Sequence, residues 1–482
     1  MKKKLLLIYG ILSFLNLIEA QQVTIKGNAK SYAGDELIWK CYDDQITFEE
    51  KALSKAIVDK NGDFTFKIEI NETILSFIHL NVFKGILYIE PGKEYEIILP
   101  QKINKLPEDE LNPFFEETEF NIRILNIEEN ELNELIKRFN RQYDNYLTKY
   151  FQQFRGKLSK SIADSIIESI DKAIPEKNNK YFNDYKVYSY ASLRLMAYER
   201  NKEKLTETYF NNKAILYQNP AYMDLFNQLY SNYLSYYSKS KAGKRIPYYL
   251  IKERSLKGIK SSLSEAPELK GNDFQDLIIC KSLFDNFYKD DYPQESIIFM
   301  IDSIGMVANK ENKKIANNIY KKITTLLLGY IAPDFQLPDI ENKPKSLTQI
   351  KNKFVYLSFI NPKSYTCLQE LEILKKMHSK KFEMLEIVSI CVCDNIEEMQ
   401  NLVKENAYTW PILYYSKNKD LLKAYNVRAY PTYYLINPEG KLAMSPAFPP
   451  SEASFEDRYS DILKAWKIEQ ERHKTKGSGI NN

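Results

Sequence analysis

The chain has 482 residues, 44% hydrophobic and 27% charged, a globular composition that excludes a disordered or low-complexity protein. That length exceeds one ordinary domain, so two or three are expected. The formal charge is +4, and loss of residues 1–20 would remove Lys2, Lys3, Lys4 and Glu19 and leave +2. A near-neutral chain gives no electrostatic case for a nucleic-acid partner or an anionic surface.

Residues 1–20 read as a secretory signal: three Lys, the apolar stretch Leu5–Leu17, then Ile-Glu-Ala20 before Gln21-Gln22. The stretch is short for a spanning helix and holds Asn16, so it is expected to be cleaved. No Cys follows it, which argues against a lipid anchor on a processed amino-terminal cysteine. No later run is long enough to span a membrane. Export implies an oxidising compartment, and a periplasmic location is expected. Yet Cys41, Cys280, Cys367, Cys391 and Cys393 are odd in number and scattered, unlike a disulfide framework. All five are expected to be unpaired, mostly as buried apolar-like thiols.

Residues 22–101 read as an amino-terminal β-sandwich. Phe64 to Ile70 alternates with period two, and Asp59-Lys-Asn-Gly-Asp63 before it is a hairpin signal. Further strands are expected at Val23–Gly27, Glu36–Tyr42, Ser76–Phe83, Ile86–Ile89 and Glu94–Leu99, with a turn at Pro91-Gly92.

Residues 105–330 read as an all-α middle domain. Leu132, Ile136, Phe139, Tyr143, Tyr146 and Tyr150 step by four and three, and Phe226, Tyr230, Tyr233 and Tyr237 repeat the pattern. Such stripes are core faces before they are aromatic ligand platforms. Ile315, Ile319, Ile323 and Leu326 mark a last helix ending at Gly329.

Residues 331–470 read as α/β. The order is strand Phe354–Phe359, helix Ser364–His378, strand Leu385–Val392, helix Ile396–Glu405 and the stretch Thr409–Leu413. A helical turn Leu421–Tyr425, strand Thr432–Ile436, a hairpin through Asn437-Pro-Glu-Gly440 and a helix from Phe455 to about Gln470 follow. Residues 471–482 are expected to be a disordered tail.

Several motifs in this last region carry a resemblance. Ala332-Pro-Asp-Phe-Gln-Leu337, the Phe354 strand, Trp410-Pro411 and Tyr430-Pro-Thr-Tyr-Tyr-Leu-Ile-Asn-Pro-Glu-Gly440 resemble the TlpA/ResA-like branch of the thioredoxin superfamily. Residues 22–101 more weakly resemble the β-domain often paired with it in Gram-negative envelope proteins. The family's strand runs into Trp-Cys-x-x-Cys. Counted from Phe354 without a gap, Cys367 falls on the second cysteine, Ser364 on the first and Lys363 on the Trp. The resemblance therefore implies a thiol-disulfide oxidoreductase frame without its attacking thiol.

Dithiol exchange needs an exposed low-pKa thiolate and a second thiol to resolve the mixed disulfide. A hydroxyl at Ser364 does neither. Cys367 holds the resolving position, where Tyr365 and Thr366, bulkier than the usual Gly-Pro, are expected to cover it. By resemblance, Pro431 is the family's cis-proline and, with Tyr430, would form a substrate-binding groove, while Glu370 matches a glutamate near the thiols. Cys391-Val-Cys393 places two side chains on one strand face about 6.6 Å apart along the rise, near the upper limit for a bridge, so a strained intrastrand bridge is not expected, and two thiols alone do not make a zinc site. His79, His378 and His473 are dispersed, so no metal and no cofactor is expected. The expected function is a periplasmic, degenerate thiol-disulfide oxidoreductase with weak or no dithiol activity. The alternative is a non-catalytic peptide-binding or envelope assembly protein, with a protein or peptide partner in the periplasm.

Overall fold

The structure is a computed structural model that describes residues 20–106, 109, 112, 115–154, 159–175, 178–197, 201–350 and 352–478. The expected signal segment, apart from residue 20, lies outside the described residues. Two compact units emerge. The first comprises the described residues up to Lys105 and those of Glu116–Ile319; the second comprises those of Leu106–Phe115 and from Tyr320 onward.

The first unit opens with a sandwich of two sheets. Its strands are β1 (Gln21–Asn28), β2 (Glu36–Tyr42), β3 (Glu50–Ile57), β4 (Asp63–Ile70), β5 (Ile74–Leu80), β6 (Phe83–Ile89), β7 (Glu94–Ile98), β8 (Thr118–Asn121) and β9 (Arg123–Ile124). One sheet runs β4-β1-β7-β9 and the other β3-β2-β5-β6-β8. Side chains from both inner faces, Ile25, Phe66 and Tyr95 against Trp39, Ile78 and Leu87, share one core. The alternation in β4 is complete, with Phe64, Phe66, Ile68 and Ile70 buried and the residues between them exposed. Across this core Trp39 Nε1 donates to Ser76 Oγ at 2.9 Å, and Ser76 donates to the Leu87 carbonyl at 2.7 Å.

Two expectations are corrected here. β3 was not foreseen, because Glu-Lys-Ala-Leu-Ser-Lys-Ala-Ile57 is an edge strand with no fully buried position and therefore no dry face to read. β8 and β9 interrupt the stretch from residue 105 that was expected to be wholly helical; Ile122 and Ile124 close the sandwich core. Phe120-Asn-Ile-Arg-Ile124 does alternate, but over too few residues to stand out.

Helices fill the rest of the unit. Leu132–Phe154, Lys160–Ala173 and Lys180–Ala197 bury Leu132, Ile136, Phe139, Ile166, Ile170 and Phe182 together. Phe226, Tyr230, Tyr233 and Tyr237 are all buried, as a core face requires. The helix they suggested is split into Pro220–Tyr230 and Tyr233–Tyr237 by Asn232 at φ 52°, a left-handed position that asparagine tolerates. The sandwich and helices are tied by Asn133, which accepts from Tyr88 N at 2.7 Å and donates to Tyr88 O at 2.9 Å. Asn318 also donates to Asp43 at 2.8 Å and Asp44 at 2.9 Å.

The second unit holds the hairpin β10 (Gln336–Pro338) and β11 (Pro344–Ser346), then β12 (Phe354–Ile360), β13 (Leu385–Cys391), β14 (Ile412–Tyr414), β15 (Thr432–Ile436) and β16 (Leu442–Met444). The last five form one sheet in the order β14-β13-β12-β15-β16. β12 is parallel to β13 and antiparallel to β15. All seven residues of β12 are buried, because helices or loops cover both faces. Ser358 and Ser389 share a 2.7 Å hydrogen bond, and Trp410 Nε1 donates to Ser389 at 2.9 Å.

The helix Lys310–Thr324 stops five residues before Gly329. Gly329 instead donates to the Leu442 carbonyl at 2.8 Å, joining the β16 edge. The final helix runs Ser454–Ser478, past the expected end near Gln470 and into the expected disordered tail. Lys467 to Lys476 is rich in Glu, Gln, Lys and Arg, which favour helix without any apolar face.

Candidate active site

β12 delivers the chain to a tight turn at its carboxyl end. Asn361 accepts from Lys363 N through its side chain at 2.8 Å and from Ser364 N through its carbonyl at 3.0 Å. The helix Tyr365–Lys380 then begins with Ser364 as N-cap, its Oγ accepting from Cys367 N at 3.4 Å. Ser364 is thus placed where a cap is needed to satisfy an orphan amide.

Cys367 sits one turn in, with 0% exposure, and packs in the core with Ile360, Leu371, Cys391 and Tyr433. Its sulfur accepts from Asn361 N at 3.4 Å. Burial pushes the Cys367 thiol up, and Glu370 adds to the rise; the Asn361 amide and the Ser364 hydroxyl oppose it. The net direction is upward, so the sulfur stays a thiol. Tyr365 is 74% exposed and Thr366 is exposed as well. The core cluster encloses the sulfur from within.

Tyr430–Pro431 is a cis peptide at the start of β15, as the resemblance implied. Tyr430 is half-buried, and burial, with Tyr415 and Cys367 nearby, pushes its hydroxyl up to about 12. Glu370 is buried, held by Ser451 through its backbone N at 3.2 Å and its hydroxyl at 2.5 Å. The expected site residues Ser364, Cys367, Glu370, Tyr430 and Pro431 therefore all belong to this unit, and Cys367 influences or is influenced by each of the ionisable ones.

Sequence reading missed the partners around them. Ser451 comes from the loop before the last helix, and no local motif marks it. Lys363 pairs with Asp394 at 2.6 Å, a contact made only because β13 lies beside β12. Tyr433 is buried, its hydroxyl has no hydrogen-bond partner among the described residues, and burial, Glu370 and Cys367 raise it. Its place on β15, two residues after Pro431, was the available signal.

Among the described residues, no group of three or more His, Cys, Asp or Glu is arranged to hold a metal. His79 lies in the sandwich between Glu117 at 2.5 Å and Glu50 at 3.2 Å, whereas His378 contacts Thr409 at 3.2 Å. No helix among the described residues is long and apolar enough to cross a membrane.

Residues 328–445 match the AhpC/TSA family. Over 151 residues the chain is 28% identical to the thiol-disulfide oxidoreductase ResA of Bacillus subtilis, covering 31% of this chain and 83% of that one. This region is a thioredoxin-superfamily domain. The thioredoxin-like domain is also 27% identical over 126 residues to ResA of Geobacillus thermodenitrificans, covering 26% of this chain and 72% of that one. Among solved structures, the thioredoxin domain of a thiol-disulfide oxidoreductase from Bacteroides vulgatus matches with 23% identity and a TM-score of 0.25. It covers 29% of this chain and 96% of that one.

Proposed function

We propose that the thioredoxin-like domain is a degenerate thiol-disulfide oxidoreductase acting in the periplasm, with weak or no dithiol exchange at the Ser364–Cys367 corner. The observation that carries this reading is the cap itself. Ser364 Oγ accepts the Cys367 amide, and the resemblance gives Ser364 the place of the attacking sulfur. A hydroxyl does not ionise near neutral pH and does not attack a disulfide. The remaining sulfur is fully buried and its thiol is pushed up, so it has neither the access nor the charge of a nucleophile.

Insulin reduction with dithiothreitol tests it. Wild type is expected to give no turnover above the uncatalysed rate, and Ser364→Cys is expected to restore part of it. A thiol there would sit at a helix N-terminus, where its pKa falls, with Cys367 one turn away to resolve. Lys363 in place of an aromatic residue and the Tyr365-Thr366 pair would keep recovery incomplete. Wild-type turnover that vanishes in Cys367→Ala would overturn the reading.

A second reading, a non-catalytic peptide-binding scaffold, is favoured by the exposed Tyr365 and the half-buried Tyr430 beside cis-Pro431. Aromatic rings near an extended strand end suit an unfolded polypeptide. Titration with a reduced, carboxymethylated protein would show binding that weakens about tenfold in Tyr430→Ala, a loss of about 1.4 kcal/mol. Equal binding by both proteins would remove this reading.

A further inference from the structure

The three cysteines of the thioredoxin-like domain lie in one core cluster: Cys367 at the helix start, with Cys391 and Cys393 at the end of β13. An ideal strand would hold the last two about 6.6 Å apart along the rise. Their sulfurs nevertheless meet: Cys391 Sγ donates to Cys393 Sγ at 3.5 Å. The backbone leaves regular strand after Cys391, while Val392 N still donates to Ile360 O at 2.8 Å. The chain end is therefore anchored to β12 as the two side chains lean together. Cys393 Sγ also donates to the Asn395 carbonyl at 3.3 Å.

We propose that Cys391 and Cys393 are a second dithiol, which closes to a disulfide when a small-molecule disulfide such as oxidised glutathione accepts the electrons. The two sulfurs have different parts. Cys393 is 6% exposed and Cys391 is 0% exposed, so Cys393 meets the oxidant first. Its sulfur loses its proton to solvent and attacks one sulfur of the oxidant. One glutathione leaves as thiolate and is protonated. Cys391 then attacks the Cys393 sulfur of the mixed disulfide, losing its own proton and expelling the second glutathione. Two thiols are oxidised, one disulfide is reduced, and two glutathione thiols are released. The hydrogen bond to Cys393, with burial, raises the Cys391 thiol, which keeps it protonated until its partner has reacted.

This reaction goes beyond the proposed function and does not use Ser364. The test is direct because cleavage after Lys381 and Lys404 releases one peptide holding Cys391 and Cys393 and no other cysteine. The full-length protein is incubated with oxidised glutathione, free thiols are alkylated under denaturing conditions, and the digest is weighed. The expected product is this peptide lighter by two hydrogens and unalkylated, in wild type and equally in Cys367→Ala. Cys393→Ala should leave Cys391 alkylated. Recovery of the wild-type peptide with both cysteines alkylated, or with two glutathione adducts, would overturn the proposal. So would a bridge that disappears in Cys367→Ala. The insulin assay reads the other corner, so either idea can fail alone.

Discussion

β4 in the sandwich and β12 in the thioredoxin-like domain are strands of nearly equal length in opposite surroundings. β4 has one wet face, carrying Asp63, Thr65, Lys67 and Glu69, and one dry face. β12 is dry on both. The titratable groups follow the same division. On the sandwich, His79, Glu50, Glu117 and Lys40 sit half-exposed and paired. In the thioredoxin-like domain Cys367, Cys391 and Cys393 are buried; burial raises Cys367, and the hydrogen bond to Cys393 together with burial raises Cys391. A wet face tolerates charge when charge is paired, whereas a dry one penalises the charged form of a group such as the Cys367 thiol.

Four substitutions would sharpen or break this contrast. Leu357→Ala, in the middle of the two-sided strand, is expected to cost about 2–5 kcal/mol by urea unfolding. A loss below about 1 kcal/mol would mean β12 is less tightly enclosed than its burial indicates.

His79→Gln is expected to cost about 1.5–3 kcal/mol, because it removes charge-assisted bonds to two carboxylates. Burial alone would lower His79, but the Glu117 and Glu50 hydrogen bonds raise it above 6.5. The bond from His79, opposed by burial and assisted by Lys40, lowers Glu50 from 4.5 to about 2. The histidine contribution is therefore full below pH 6.5 and is lost as pH rises through the raised folded value. The Glu50 contribution is full above pH 4.5 and is lost as pH falls towards 2. The difference between wild type and variant should peak between these limits; a pH-independent difference would show that His79 acts by packing alone.

Ser364→Ala removes the cap of the Cys367 helix and should cost about 1 kcal/mol, read from the urea midpoint. An unchanged midpoint would mean the 3.4 Å bond contributes nothing. Lys67→Ala, on the wet face of β4, should stay within about 0.5 kcal/mol of wild type, and a larger change in melting temperature would show that this face is covered.

What the sequence revealed follows the same physics. β12 and the Ser364 cap were legible because an apolar run and a polar stop are local signals, whereas the cis bond at Pro431 came from the family resemblance. Glu370 was legible as a position, but its partner Ser451 was not, since that pairing needs the folded loop. β3 was invisible because an exposed edge has no dry face, and the last helix was foreseen only to about Gln470, because the charged residues beyond it carry no apolar stripe and look like a tail. The tyrosine stripe at Phe226–Tyr237 predicted burial correctly and missed the break at Asn232, since the pattern continues across it. The close approach of Cys391 and Cys393 was missed for a related reason: an ideal strand was assumed at a place where the strand ends.

The Ser358–Ser389–Trp410 hydrogen bonds have a role beyond local satisfaction. β12, β13 and β14 are parallel neighbours, joined by long crossovers, so no tight turn dictates how far one slides along the next. Apolar side chains alone would accept several alignments in an interior that is dry on both faces. A slip of β13 by one residue would turn Ser389 to the face opposite Ser358 and leave the indole N–H without its acceptor, in a place where water cannot substitute. These three polar groups thus act as an alignment key, making the correct offset the one arrangement in which none of the three is stranded.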